Sequence, residues 1–136
     1  MAAALYLDTS AVLRAALESG LDVEIDRAIG ETDVLVTSRL SLVESSRVLH
    51  RLRRRGGLSE ARLAEVERSI DAIWGRTEIW ELSDAICEAA RHVAPGRALR
   101  ALDALHLATF VAARRRIEGL ELLTADERLR DAAETA

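Results

Sequence analysis

The feature that most limits the fold is a rhythm. Short strand-like runs recur at 3–7, 33–37, 77–82 and 120–124, and longer amphipathic segments separate them. Those segments place apolar residues at helical spacing over about 10–18, 23–30, 39–55, 59–75, 84–93 and 99–117, with 126–134 as a last helix. Strands that alternate with helices predict an α/β fold, a central parallel sheet of about four strands with helices on both faces. Local signals agree with the boundaries. Ser59 is a good N-cap after the Gly56-Gly57 break, Ser83 suits the same role before Asp84, and Pro95-Gly96 marks a turn that ends the helix before it.

No repeat, linker or low-complexity stretch divides the chain, so residues 1–136 are expected to form one domain. A composition 49% hydrophobic and 31% charged is ordinary globular and excludes disorder. No apolar run approaches the ~20 residues that span a bilayer, and the start at Met1 lacks the basic region of a signal peptide. A single cysteine, Cys87, excludes an internal disulfide and a cysteine-based zinc site. It is expected as a small core residue, and a reducing, cytoplasmic setting with no membrane follows as an expectation. All 19 basic residues are arginine, which rules out a Walker-type phosphate loop, a Schiff-base enzyme and a lysine general base.

Four acids carry the functional reading. Asp8 ends the first strand-like run, and a strand ending Leu-Asp-Thr-Ser delivers a carboxylate to the rim where parallel-sheet ligands bind. Asp126 follows Leu-Leu-Thr-Ala just past the last strand, where the Thr124 hydroxyl could orient a carboxylate or a metal-bound water. Both acids also suit a plain role as helix caps. Asp103 lies in Leu-Asp-Ala-Leu-His-Leu-Ala-Thr-Phe, a helix apolar on almost every side and therefore expected in the interior. Asp103, His106 and Thr109 share a stripe three residues apart; His106 reads as a neutral, hydrogen-bonded histidine rather than a catalytic one. Glu44 points with Leu40 and Val48, which sets a carboxylate among apolar neighbours.

Carboxylates are costly to bury unless paired or bound to a cation. Four that converge with no basic partner nearby in sequence would repel one another and call for a divalent ion, which points to metal-dependent chemistry on a phosphate. The net charge of −4 does not suggest a nucleic-acid binder, yet leaving those four acids out of the balance makes it zero. Aromatics at 3% are too few for a base-stacking platform. The arginines Arg51, Arg53, Arg54 and Arg55 suit the end of a long helix, with phosphate binding as a second role, and Arg114 to Arg116 read the same way.

Taken in order, strand-Asp-Thr-Ser, Ser-x-x-Glu after the second strand, Leu-Asp-Ala-Leu-His-Leu-Ala and Leu-Thr-Ala-Asp resemble the PIN-domain ribonucleases. The likeness is strongest to VapC-type toxins of bacterial toxin–antitoxin pairs, and it covers essentially the whole chain. The resemblance implies a PIN-like three-layer fold, with Asp8, Glu44, Asp103 and Asp126 as an acidic quartet for one or two Mg²⁺ or Mn²⁺ ions. Asp8 and Asp103 would bind the principal metal, while Glu44 and Asp126 would serve a second ion or the attacking water. Thr9, Ser10 and Thr124 would be supporting polar groups. It further implies endonucleolytic cutting of RNA, a homodimer and a cognate antitoxin protein. The family often ends with a further strand, and the residues after Asp126 read as helix, so a shorter sheet edge is expected.

Two alternatives stay open within that family, a PIN-like module that binds RNA or protein without cutting and a PIN nuclease of RNA maturation. Outside it, a haloacid-dehalogenase-type phosphatase needs a second aspartate where Ser10 stands, and both it and a receiver domain need a lysine that the chain lacks.

Overall fold

In the computed structural model, which describes residues 3–18, 20 and 22–136, strands and helices alternate along the chain as the apolar rhythm predicts. Met1 and Ala2, the head of the N-terminal stretch read above, lie outside the described residues. The order is β1 (Ala4–Leu7), α1 (Thr9–Leu17), α2 (Val23–Glu31), β2 (Val34–Ser38), α3 (Arg39–Arg55), α4 (Glu60–Gly75), β3 (Thr77–Trp80), α5 (Asp84–Ala90), α6 (Ala101–Arg114), β4 (Leu120–Leu123) and α7 (Glu127–Thr135). The strands form one sheet in the order β3-β2-β1-β4, parallel at every pairing. Leu5 sits opposite both Leu35 and Glu121, so β1 is flanked on each side.

The side-chain alternation of β1 builds two cores. Leu5 and Leu7 face a layer with Val12, Ile25, Leu49, Val66, Ile70 and Trp74, where α1, α3 and α4 pack on one another. Ala4 and Tyr6 face the other way, toward Leu107, Phe110, Ala113 and Leu129 of α6 and α7. Residues of opposite parity on one strand must leave opposite faces, and a strand buried on both is the mark of a covered parallel sheet.

Helix starts follow cap chemistry. Ser59 Oγ accepts from the Arg62 N–H and Ser83 Oγ from the Ile86 N–H, as expected at those positions. Asp8, Asp22 and Asp126 cap α1, α2 and α7 in the same way. Gly56 closes α3 with φ of 80°, a left-handed conformation that a side chain would resist.

Three expectations need correction. The fifth helix stops at Ala90 instead of running to 93, ahead of the Pro95-Gly96 turn, because the chain bends from Arg91 on and Ala94 takes a left-handed φ of 44°. Cys87 is exposed, not a core residue, since α5 lies at the surface and buries only Ile86 of its own residues. Asp103 does not lie in the interior; it occupies the first turn of α6, beside the exposed Leu102, and burial of that helix begins three residues later at His106.

Candidate active site

Parallel strands aim their carboxyl ends the same way, and ligands settle where successive connections leave in opposite directions. Here the chain runs from β1 to β2 and β3 on one side, then returns to β4 on the other. Asp8 follows β1 and Asp126 follows β4, so both carboxylates stand at that edge. The N-terminal half of α3 brings Glu44, and the first turn of α6 brings Asp103. All four acids line a single cleft of about 590 Å³, together with Thr9, Ser10 and His106.

The tripeptide Asp8-Thr9-Ser10 organises two of the carboxylates. Ser10 Oγ lies 2.8 and 2.9 Å from the two oxygens of Asp8, and the Ala11 N–H donates to Oδ1 at 3.1 Å. Thr124 Oγ1 donates to Asp8 Oδ2 at 2.7 Å and accepts from the Asp126 N–H at 3.0 Å, tying the β4 exit to the β1 exit. Thr9 Oγ1 turns the other way and donates to Glu44 Oε1 at 2.6 Å. The cap role and the site role of Asp8 are therefore held by one side chain.

His106 completes the arrangement from below. Its Nε2 lies 2.6 Å from Glu44 Oε1 and its Nδ1 2.9 Å from the Tyr6 hydroxyl. An ionised carboxylate can only accept, so Nε2 carries the hydrogen toward Glu44, and Nδ1 meets the phenol. Tyr6 is fully buried between His106 and Phe110, in edge-on contact with both rings. A core tyrosine thus fixes the histidine, and the histidine fixes Glu44.

Electrostatics separate the acids. Burial pushes the Asp8 carboxyl above its usual value, against the opposing pull of the hydrogen bonds from Thr124, Ser10 and the Ala11 N–H and of His106. For Glu44 burial also acts upward, but the His106 and Thr9 hydrogen bonds and the His106 charge outweigh it, and the carboxyl lies below its usual value. Burial pushes the Tyr6 phenol far up, and the Asp8 and Glu44 charges add to that, so it stays protonated. Asp103 has no ion pair or hydrogen bond among the described residues. Asp126 Oδ1 takes the Arg128 N–H at 2.9 Å as a cap, which leaves Oδ2 without a bond among them.

These donors suit a hard divalent ion. All are carboxylate oxygens, no thiolate is near, and the one histidine is already bonded through both nitrogens, which leaves oxygen donors of the kind a hard cation takes. Among the described residues no three of His, Cys, Asp and Glu stand close enough to hold an ion jointly.

The structure brings together every acid and hydroxyl singled out from the sequence, and it adds residues that sequence reasoning set aside. His106 was read as a neutral, hydrogen-bonded histidine rather than a catalytic one; the hydrogen bonds are there, and one of them goes to Glu44 in the cleft, which its place one turn from Asp103 signalled. Arg47, Arg51 and Arg54 also line the cleft, so the acids do have basic neighbours, contrary to expectation. Arg47 was legible as the residue one turn beyond Glu44. The arginine cluster itself divides: Arg53 pairs with Glu60 at 3.2 Å and stays out of the cleft.

Fold and site together define an α/β domain with carboxylates gathered at the switch point of a four-stranded parallel sheet. The PIN domain family matches residues 5–135, and the chain belongs to that family. Among its relatives is Ribonuclease VapC49 of Mycobacterium tuberculosis (strain ATCC 25618 / H37Rv), 35% identical over 104 residues, which are 76% of this chain and 71% of the relative. The fold is shared with PAE2754 from Pyrobaculum aerophilum at a TM-score of 0.66 and 23% identity, covering 97% of this chain and 81% of that one. It is shared too with a chain of a toxin–antitoxin complex from Klebsiella pneumoniae, at a TM-score of 0.61 and 22% identity, covering 90% and 86%.

Proposed function

We propose that this protein is a metal-dependent endoribonuclease, a single PIN domain that acts as the toxin of a toxin–antitoxin pair. One observation carries the reading: Asp8, Glu44, Asp103 and Asp126 come from four separate stretches of the chain and line one cleft at the carboxyl edge of the sheet. Membership of the PIN family and the likeness to Ribonuclease VapC49 support cleavage of RNA. The structural likeness to a chain of a toxin–antitoxin complex supports a cognate antitoxin as partner. A homodimer and a cytoplasmic setting complete the proposal; among the described residues, no helix is long and apolar enough to cross a membrane.

Asp8 and Asp103 would hold the principal Mg²⁺ or Mn²⁺, and Glu44 and Asp126 a second ion or the attacking water. A divalent ion in such a site lowers the pKa of water and offsets charge on the attacking and leaving oxygens. The protein's own part is positional. Ser10 and Thr124 fix both oxygens of Asp8, while Thr9 and His106 keep Glu44 ionised and aimed. Asp103 and the second oxygen of Asp126, free of bonds among the described residues, stay available to water or metal. No covalent nucleophile is required.

The test is cleavage of a mixed RNA pool by purified protein freed of antitoxin, with and without Mg²⁺ or Mn²⁺, beside Asp8→Asn. Metal-dependent cuts that vanish in the variant would support the nuclease and the role of Asp8. A second reading, a PIN module that binds RNA or protein without cutting, draws on the lack of any three close ligands among the described residues. No cutting under either metal, with binding unchanged by Asp8→Asn, would favour that module.

A further inference from the structure

Arg47, Arg51 and Arg54 stand at i, i+4 and i+7 on α3, and all three line the cleft, beginning one turn beyond Glu44. At ~1.5 Å per residue their backbone positions extend over roughly 10.5 Å of helix axis. None of the three makes an ion pair or a hydrogen bond among the described residues. Arg53, which lies between them in sequence but outside the cleft, is taken up by Glu60. Complementing the helix dipole accounts for cations only in the last turn, which holds Arg53, Arg54 and Arg55. It gives no reason for Arg47 or Arg51, nor for the common side that the three share.

We propose that Arg47, Arg51 and Arg54 form a track for the sugar-phosphate backbone of single-stranded RNA, running along α3 away from the carboxylates. This rests on the ribonuclease reading and deepens it, by assigning how the substrate is held. Carboxylates repel a polyanion, so the same cleft needs cations beside them to keep a strand in place. Guanidinium groups meet phosphate oxygens in a two-point fork, and a single row of them follows one strand over a few consecutive phosphates. Contacts of this kind set the position and direction of the RNA and carry no sequence information. The track therefore predicts affinity that depends on salt and is indifferent to base identity.

The experiment measures binding of fluorescent oligoribonucleotides, one of uridine alone and one of mixed sequence, at salt concentrations between 50 and 200 mM. Asp8→Asn serves as the background so that the RNA is not cut, and wild type is assayed for cleavage in parallel. Into that background go Arg47→Gln, Arg51→Gln and Arg54→Gln together. A control set, Arg27→Gln, Arg68→Gln and Arg91→Gln, removes the same charge elsewhere, and circular dichroism melts check that each variant folds. Each phosphate contact contributes roughly 0.7 to the slope of log K against log salt for a single strand. Losing three should lower that slope by about 2, so the background protein would lose roughly 20-fold more affinity across this range than the track variant. Both RNAs should respond alike, the control set should change nothing, and Lys at the three positions should restore the slope.

An unchanged slope, an equal effect from the control set, or no RNA binding at all would overturn the track. RNA held through the track but never cut by wild type under Mg²⁺ or Mn²⁺ would uphold it and overturn the nuclease reading instead.

Discussion

Asp8 is buried with every hydrogen bond aimed at its charged form, and burial still prevails, holding its carboxyl above the usual value. A group whose folded pKa is raised stabilises the fold fully below its unfolded pKa, and that contribution is lost as pH rises through the folded one. At neutral pH the ionised Asp8 therefore costs stability, the trade that active-site charges commonly impose. Asp8→Asn should abolish RNA cleavage and yet raise stability at pH 7 by about 0.5–2 kcal/mol, the size of a common stabilising substitution. Thermal melts should show the gain shrinking as pH falls into the acid range, and a variant that melts below wild type at pH 7 would contradict it. His106 acts through Glu44. Losing its hydrogen bond should let the Glu44 carboxyl rise, so His106→Ala should move the acid limb of the pH–rate profile upward. A hydrogen bond to a charged group is worth about 1.5–3 kcal/mol, so the loss at neutral pH should be on the order of tenfold or more. His106→Gln, which keeps a donor, should recover part of it; an unmoved acid limb in the alanine variant would reduce His106 to a packing role.

At the scale of elements, α6 holds the site and the second core together. Its first turn offers Asp103 to the cleft, while Leu107, Phe110 and Ala113 are buried against β1, β2 and β4. Leu107 is fully buried, and Leu107→Ala should cost about 2–5 kcal/mol, a large part of the ~5–15 kcal/mol typical of a domain. Chemical denaturation would read this directly, and a loss below 1 kcal/mol would show that α6 is not the anchor described. The α5 helix is the contrast, with Ile86 its one buried residue. Elements with few buried apolar contacts open locally at low cost. Amide exchange should be markedly faster in α5 than in α1 or α6; equal protection would mean that α5 is held by more than Ile86. The sequence marked the start of α5 through Ser83 but misplaced Cys87, because a short amphipathic helix reads alike whether it lies inside or outside.

At the scale of the whole molecule, a chain of net charge −4 keeps both signs in one cleft, four carboxylates toward the sheet edge and three arginines along α3. A divalent ion that binds only the folded state adds RT ln(1 + [L]/Kd) to stability, about 2.7 kcal/mol at a hundredfold excess over Kd. Mg²⁺ or Mn²⁺ should therefore raise the Tm of wild type and chelation should reverse it, with a smaller rise in Asp8→Asn. A Tm indifferent to both metals would speak for the binding module over the nuclease.

The amino-acid sequence by itself determined the number, order and kind of the elements, because strand and helix periods are local and the caps Ser59 and Ser83 are local too. It also marked the acids, since a carboxylate at a strand exit or on an apolar helix is costly enough to be conspicuous. Only the tertiary structure decided what those acids touch. Asp8 meets Thr124 across 116 positions and His106 meets Tyr6 across 100, contacts created by the placing of β1 between β2 and β4. Spacing along α3 sets which arginines share a side with Glu44, but only the tertiary structure decided that this side forms the wall of the cleft. Burial, hydrogen bonds and the His106 charge act through space, and together they set Asp8 above its usual pKa and Glu44 below its own.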